Sequence, residues 1–198
     1  MNIEPIKLLK GSHKDTGQTG LGCFMNVIAY LNGEPQITDE SPCVCVTVRP
    51  IAVWLNDYMT DEERPQLLPF ITRAMGSATE DKDTLVRRTS LCADYVERLA
   101  ARSASAEWAT RAARDAARAA AWTAWTAAWA ARDAARAAAW AVESYAAWAV
   151  ESSASDYPAF RGELIAGTLA LLDAMLPPAT ELQQEQIDRA QRLVELAT

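Results

Sequence analysis

The feature that most constrains the fold is a span of 81 residues, from Ser77 through Tyr157, that contains neither glycine nor proline. Glycine weakens a helix interior and proline breaks it, so nothing in this span forces the backbone out of a helix. The span is also rich in alanine, which has the highest helix propensity. The sequence therefore predicts an all-α protein, with a small Gly- and Cys-containing helical head over residues 1–76 and a long-helix bundle rich in Ala, Trp and Arg over residues 77–198.

The centre of the span, residues 104–150, has an unusual composition, and we call it the Trp/Arg tract. It contains 24 alanines and six of the seven tryptophans, and its charged residues are only Arg, Asp and Glu. The sequence AARDAARAAAW occurs twice, at 112–122 and at 130–140. The offset of 18 residues is five turns of a helix with about 3.6 residues per turn. The two copies therefore face the same way if the helix is continuous.

Tryptophan and arginine share one face of such a helix, because most of their positions fall within one stripe at about 100° per residue. Four of the six tryptophans have an Arg three or four residues away, a spacing that allows cation-π contacts of about 0.5 to 1 kcal/mol. Two interpretations stay open: the indoles fill the seams of a bundle, or the stripe lines a groove for a ligand. The candidate ligand-binding residues are Arg111, Arg118, Trp122, Trp129, Arg132, Arg136 and Trp140.

The charge pattern restricts the partners. The chain has a formal net charge of -7, which disfavours binding to nucleic acid or to an anionic membrane through the global field. The tract has five Arg, two Asp, two Glu and no Lys, so its own charge is close to zero. A protein partner or an anionic small molecule therefore fits the tract better than nucleic acid does. Long helices of this kind also allow a homo-oligomer.

Membrane and secretion signals are missing from the sequence. No stretch approaches the roughly 18 apolar residues of a transmembrane helix, and residues 1–10 lack the apolar run of a signal peptide. We therefore expect a soluble protein of the cytoplasm. In that reducing compartment the four cysteines are expected as free thiols or metal ligands rather than as disulfides.

Glycine marks the boundaries of the first helix in the head. A Gly-rich loop at 11–22 is followed by an apolar helical pattern over 24–31, which Gly33 ends as the residue after the C-cap. A further helix is expected from about Val46 onward. The alternation in CVCVTV, which overlaps its start, is also compatible with a strand.

Two capping boxes predict further helix starts. In TDEE at 60–63 and TELQ at 180–183, a Thr and a Glu or Gln three residues later each satisfy a backbone donor of the first turn. The first box predicts a helix that Gly76 ends, and the second predicts a C-terminal amphipathic helix. The apolar pattern over 164–176 predicts a core helix that the following Pro-Pro pair stops.

The head contains one candidate catalytic pair. His13, the single histidine, lies in the Gly-rich loop ten residues before Cys23. Cys23 is expected at a helix N-terminus, where the helix dipole and free amides lower the pKa of a thiol. The two residues suit a nucleophile and its base, with Glu34 or Asp39 orienting the imidazole.

The same residues fit two other interpretations. His13, Cys23, Cys43 and Cys45 supply a Cys3His set that suits tetrahedral zinc, although their spacing matches neither a zinc finger nor a CxxC motif. Alternatively, the cysteines are small buried hydrophobes, His13 is a surface residue of the loop, and no cofactor is bound.

The run GSHKDTGQTGLGCFMNVIAYLNGEPQITDESPCVC is continued by WLND and DEERPQLLPFITRAMG, and LALLDAML follows the alanine tract. In these features the chain resembles an uncharacterised family of actinobacteria and their phages. The chain departs from that family at Asn26, where the family pattern has an acidic residue. The family's alanine tract varies in length, which implies a scaffold or recognition surface. The matching residues are His13, Cys23, Glu34, Pro42, Cys43, Asn56 and Asp57.

Taken with the resemblance, these patterns predict a non-enzymatic helical binding or interaction protein. A phage origin implies a role in counter-defence, by sequestering a protein or an anionic small ligand. The alternative is a thiol- or metal-dependent enzyme centred on Cys23 and His13.

Overall fold

The computed structural model describes residues 6–79, 81–101, 136, 139–140, 157–179 and 181–197. Helices hold 64% of these residues and none of them forms a strand, although an isolated bridge joins Leu8 to Gly22. The all-α class predicted from the sequence is confirmed for this part of the chain. No helix in it is long and apolar enough to cross a membrane.

The α-helices of the described ranges, numbered in chain order, are α1 (Thr16–Thr19), α2 (Phe24–Leu31), α3 (Arg49–Tyr58), α4 (Ile71–Ala74), α5 (Lys82–Ala101), α6 (Tyr157–Met175) and α7 (Gln184–Ala197). A 3-10 helix, Arg64–Phe70, leads into α4. The chain forms two compact units. The first unit consists of Met1–Cys45, Ala52–Ala78 and Leu176–Thr198, and the second unit of Val46–Ile51 and Thr79–Met175.

Helix α2 is the centre of the first unit, where it contacts α1, α4 and α7. Seven of its eight residues are buried. Its C-terminus is a Schellman motif, because the Gly33 N–H donates to Tyr30 O and the Glu34 N–H donates to Ala29 O. Gly33 has the positive φ of 71° that this motif requires, so the helix end predicted from the glycine is confirmed.

Helix α7 packs against α1 and α2 within the first unit. A guanidinium of α7 caps the end of α2, since Arg189 Nη1 donates to Leu31 O at 3.1 Å, which complements the negative end of the helix dipole. Gly20, the C-cap of α1, has a φ of 71°. A Cβ at that position would lie 2.4 Å from the backbone oxygen of Leu193 in α7, so the two chain segments approach closely because Gly20 has no side chain.

Helix α3 begins later than the sequence predicts. Residues 46–48 form turns and the helix begins at Arg49, with no strand in this described segment. The reason is Pro50, which has no N–H to donate and is tolerated only in the first turn of a helix. A start at Val46 would have required that missing donor.

The capping box at 60–63 is formed in part, because Glu63 Oε2 accepts from the Thr60 N–H at 2.9 Å. The helix after it differs from the prediction, since residues 64–70 are 3-10 and only α4 is α-helical. Pro69 lies inside this segment and cannot donate the backbone bond that an α-helix would need there. Gly76 follows the segment with a φ of 78°.

The second predicted capping box is displaced along the chain. Helix α7 begins at Gln184, and the Gln183 N–H donates to the side-chain oxygen of Gln186 at 2.9 Å. The side chain that accepts from the backbone N–H is therefore that of Gln186, three residues later than the Gln183 of the sequence motif.

Helices α5 and α6 pack against each other in the second unit. Arg88 interrupts the apolar stripe of α5 but is only 4% exposed, and its Nε donates to Met175 O at the end of α6 at 2.7 Å. Helix α6 ends there, just before Pro177 and Pro178, as the sequence predicts. The largest fully buried side chains that these two helices contribute are Leu85, Leu164 and Leu172.

Candidate functional site

Cys23 lies at the N-terminus of α2, as the sequence predicts. It is the N-cap residue, with extended backbone, and its Sγ accepts a hydrogen bond from the Asn26 N–H at 3.4 Å. The thiol takes the position that a Ser or Thr hydroxyl commonly occupies in this role. Cys23 is only 4% exposed, so the cap is also part of the core.

Asn26 and Asp39 complete a polar cluster around this thiol. Cys23 Sγ lies 3.2 Å from Asn26 Oδ1 and 3.3 Å from Asp39 Oδ1, and the S–H can donate to either oxygen. Asn26 Nδ2 donates to the same Asp39 oxygen at 3.1 Å. An acidic residue at position 26 would instead place a second carboxylate beside Asp39, so the amide found in this chain suits the cluster.

The environment of Cys23 opposes thiolate formation. Burial raises the pKa of the Cys23 thiol to about 12, and the charge of the Asp39 carboxylate adds to the rise. Backbone hydrogen bonds from Asn26 and Met25 lower the pKa, as expected at a helix N-terminus, but by less. The expected activation of the thiol by the helix end is therefore outweighed by desolvation.

His13 lies near this cluster but directs its imidazole elsewhere. Its backbone N–H donates to Asn26 Oδ1 at 2.5 Å, and its carbonyl accepts from Thr16 Oγ1 at 2.7 Å. The ring atom Nε2 lies 2.8 Å from Lys10 O, in an exposed contact. The sequence pair His13 and Cys23 is thus joined through Asn26 and the His13 backbone, whereas a nucleophile and base would need an imidazole-thiol contact.

The second pair of acidic and thiol groups forms a separate cluster. Ser41 is buried, donates to Glu34 Oε1, and lies 3.1 Å from Cys43 Sγ. Burial raises the pKa of the Cys43 thiol, and the Glu34 charge acts in the same direction. Glu34 also accepts from Asn32 Nδ2 at 3.1 Å, so neither proposed orienting acid contacts the imidazole of His13 in these bonds.

The four residues predicted as zinc ligands do not form one group. Among residues 6–79 and the other described ranges, no set of three or more His, Cys, Asp and Glu side chains is placed to hold a metal ion. Cys23 contacts Asp39, Cys43 contacts Ser41, and the Cys45 N–H donates to Ser77 Oγ at 3.0 Å. Within the described residues, the cysteines are free thiols.

The candidate ligand-binding tract is described at only a few positions. Arg136 and Trp140 are helical and exposed, and Trp140 has 59% of its surface in solvent. Arg136 and Trp140 are four residues apart in the sequence. The other predicted ligand-binding residues lie outside the described residues: Arg111, Arg118, Trp122, Trp129 and Arg132.

Sequence reasoning missed a buried polar clamp in the head. Asn56 is 1% exposed; its Oδ1 accepts from the Phe24 N–H at 3.1 Å and its Nδ2 donates to Leu9 O at 2.9 Å. Arg64, 3% exposed, donates to the carbonyl of Asn56 at 2.9 Å. The available signal was a polar residue inside an apolar helical pattern, such as Asn56 in IAVWLNDY.

These hydrogen bonds stabilise the fold of the head. Its buried polar side chains bond to backbone groups and to one another, and no described buried side-chain nitrogen or oxygen lacks a partner. By contrast, the cationic group at 136 and the aromatic group at 140 are exposed to solvent. No protein-family model, curated protein or solved structure matches this chain.

Proposed function

We propose that this protein is a non-enzymatic helical binding protein, and that its Trp/Arg tract engages a protein partner or an anionic small molecule. The observation that carries the proposal is the exposure of Trp140, 59% of whose surface is in solvent. An indole is the largest apolar side chain, and its burial against a partner removes much apolar surface from water. Trp and Arg are the residues most enriched at the energetic centres of interfaces.

The neighbouring charge supports the same function. Arg136 is exposed four residues before Trp140. A guanidinium beside an aromatic ring can pair with a carboxylate or phosphate while the ring packs on the apolar part of the same ligand. The identical repeat places the same pattern at Arg118 and Trp122. A repeated pair of this kind suits an extended partner surface.

The geometry around Cys23 opposes thiol catalysis, the alternative function. The thiol is 4% exposed, its pKa is raised to about 12, and the imidazole of His13 bonds to the Lys10 carbonyl. A catalytic cysteine needs an accessible thiolate, which this arrangement opposes. Counter-defence by sequestration, in the cytoplasm, is the role we propose on the family resemblance.

The experiment compares variants of the tract with a charge-matched control. Purified wild type, Arg136→Ala and Trp140→Ala are immobilised, and bound proteins from an actinobacterial lysate are quantified by mass spectrometry. Equilibrium dialysis against mononucleotides tests small anions in parallel. Arg192→Ala removes one positive charge from an exposed position on α7 and serves as the control.

We expect a specific partner to be retained by wild type and by Arg192→Ala and reduced at least about thirtyfold by either tract substitution, the size of a typical interface hot spot. If Cys23→Ser alone abolishes retention of the partner while both tract variants keep it, the proposal that the tract binds the partner is wrong. Equal retention by all variants also contradicts it.

A further inference from the structure

Asn32 is followed by Gly33 at the C-terminus of α2, and both residues are exposed. The protein contains four asparagines, and Asn32 is the one that precedes a glycine. In an Asn-Gly pair the backbone nitrogen of the glycine can attack the side-chain carbonyl carbon of the asparagine, because no glycine side chain hinders the approach. Asn26 and Asn56, by contrast, are buried and are followed by residues with side chains.

The end of α2 holds this pair in a conformation that opposes the attack. Asn32 has a φ of -73° and a ψ of -7°, in the helical region, and ring closure requires ψ to rotate until the next nitrogen faces the side chain. The Gly33 N–H, which must lose its proton to react, donates to Tyr30 O at 3.0 Å. The Glu34 N–H donates to Ala29 O at 3.0 Å. The Schellman motif must therefore open before the nitrogen can attack.

Arg189 of α7 stabilises the closed motif from outside. Its Nη1 donates to Leu31 O at 3.1 Å. A Cβ at Gly33 would lie 2.7 Å from Arg189 Nη2 and 2.8 Å from Arg189 Cζ, so the guanidinium packs against the glycine backbone. Glu185, one turn earlier on α7, lies 3.4 Å from the same Nη2 and helps to orient the guanidinium. Rotation of the segment breaks the contacts that Arg189 makes with it.

We propose that Asn32 is a site of spontaneous deamidation, and that opening of the Arg189-held end of α2 sets the rate. The Gly33 nitrogen loses its proton to hydroxide and forms a bond to Asn32 Cγ. The bond from Cγ to Nδ2 breaks, and Nδ2 leaves as ammonia. Water then opens the resulting succinimide at Cγ, which gives an aspartate, or at the main-chain carbonyl carbon, which gives an isoaspartate. No group is oxidised or reduced.

The product cannot restore the original helix end. Asn32 Nδ2 donates to Glu34 Oε1 at 3.1 Å, and deamidation replaces this donor by a carboxylate beside the Glu34 carboxylate. The two like charges then lie at the negative end of the dipole of α2. In the isoaspartate the main chain also contains an additional methylene, which displaces the N–H groups of the motif from their acceptors. The reaction is separate from the Trp/Arg tract, so the proposal does not rest on the proposed function.

The test follows deamidation of the full-length protein, folded and in urea, at the same mildly alkaline pH. Samples are digested with pepsin at acid pH, where the reaction is slow, and the peptide that contains Asn32 is quantified by mass spectrometry. We expect Asn32 to react about tenfold more slowly in the folded protein, since two backbone hydrogen bonds must open first. Asn32→Gln keeps an amide but would need a six-membered ring, so its peptide should stay unmodified over the same period.

Arg189→Gln tests the role of the guanidinium, and Arg192→Gln, which removes an exposed charge from the same helix, is the matched control. Arg189→Gln should speed deamidation about fivefold, the effect of losing a cation that caps a helix C-terminus. Arg192→Gln should leave the rate unchanged. Hydrogen exchange separates local opening from global unfolding, because Arg189→Gln should speed exchange of the Gly33 amide and leave that of the buried Ile28 unchanged.

The proposal is overturned if Asn32 reacts as fast in the folded protein as in urea, or if it reacts in neither state. It is also overturned if Arg189→Gln and Arg192→Gln have the same effect on the rate. Equal acceleration of exchange at Gly33 and Ile28 in Arg189→Gln would contradict it as well, since the reaction would then follow global unfolding.

Discussion

The polar side chains of the head occupy a different environment from Arg136 and Trp140, the two large side chains of the tract that the structure describes. In the head, Arg64 is 3% exposed and Asn26 is fully buried, and both make several hydrogen bonds. In the tract, Arg136 is exposed and Trp140 keeps 59% of its surface in solvent. The head therefore uses buried polar groups to fix its own backbone, whereas Arg136 and Trp140 are exposed to solvent.

The largest expected effect comes from Arg64, the most deeply buried arginine of the head. Its guanidinium donates to the carbonyls of Asn56, Met59 and Leu8 and also pairs with the exposed Asp61. Arg64→Ala leaves three carbonyl groups without this donor in a buried site. We expect a loss of about 3 to 5 kcal/mol in the free energy of unfolding, measured by urea denaturation.

Arg192→Ala is the control for that substitution, because Arg192 is exposed on α7. It should change the free energy of unfolding by less than about 0.5 kcal/mol. Similar losses of unfolding free energy in the two variants would show that the buried Arg64 contributes no more to stability than an exposed arginine. The contrast between buried and exposed side chains would then have no energetic basis.

The next largest effect is expected at Gly20, where two requirements coincide. The residue has a φ of 71°, and an added Cβ would lie 2.4 Å from the Leu193 backbone oxygen and 2.7 Å from the Ala197 nitrogen. Gly11 has a similar φ of 78° but nothing within 4 Å of the corresponding position. Gly11→Ala should cost about 1 kcal/mol for the backbone conformation, and Gly20→Ala about 3 kcal/mol because α7 must also shift.

Thermal denaturation followed by circular dichroism measures both glycine variants. The difference between them isolates the packing of α7 on α1. If Gly20→Ala and Gly11→Ala are equally destabilising, that close packing does not contribute to stability.

A smaller effect is expected from the pH dependence of Cys23. The pKa of this thiol is about 12 in the folded protein, against an ordinary value of 9.0. The protonated thiol is favoured by folding, so its contribution is fully present below pH 9 and is lost as the pH rises from about 9 toward 12. Stability should fall by roughly 1 kcal/mol between pH 8 and pH 10 through this group.

Cys23→Ala removes the titrating group and provides the reference. We expect its free energy of unfolding to decline less than that of wild type over the same pH range, with the difference measured by urea denaturation at each pH. Parallel curves would show that burial does not raise the thiol pKa. In that case the case for an activated cysteine in the head would be reopened.

Much of the helical fold could be predicted from backbone chemistry. The N-cap position of Cys23, the glycine-terminated end of α2 and the Pro-Pro stop after α6 all follow from local rules about donors and positive φ. The start of α3 was predicted wrongly because the requirement of Pro50 for the first turn was not applied. The 3-10 helix before α4 was missed because the prediction followed the apolar pattern and did not take into account the donor that Pro69 removes.

The chemistry of the candidate site was less accessible from sequence. The position of Cys23 was predictable, but its pKa depends on Asp39, sixteen residues away, and on burial that only the tertiary fold creates. The hydrogen bond between Tyr95 and Thr168 joins α5 to α6, which are separated in sequence by the whole tract. Local patterns do not specify such long-range contacts, whereas a glycine or proline acts on its own segment.

The smallest effect on stability is expected at Trp140, and it decides between the two interpretations of the tract. A core tryptophan typically costs about 3 to 5 kcal/mol when replaced by alanine. With 59% of its surface in solvent, Trp140 should cost less than about 1 kcal/mol in Trp140→Ala. Tyr95→Phe is the buried comparison, since it removes a hydroxyl that lies 2.8 Å from Thr168 Oγ1, and should cost about 1 to 2 kcal/mol. Urea denaturation of both variants shows which substitution lowers the free energy of unfolding more.

If Trp140→Ala is the more destabilising, the indole is part of a packed seam, as the structural interpretation of the tract requires. If it is nearly neutral, the indole has no role in stability, as the proposed binding function of the tract requires.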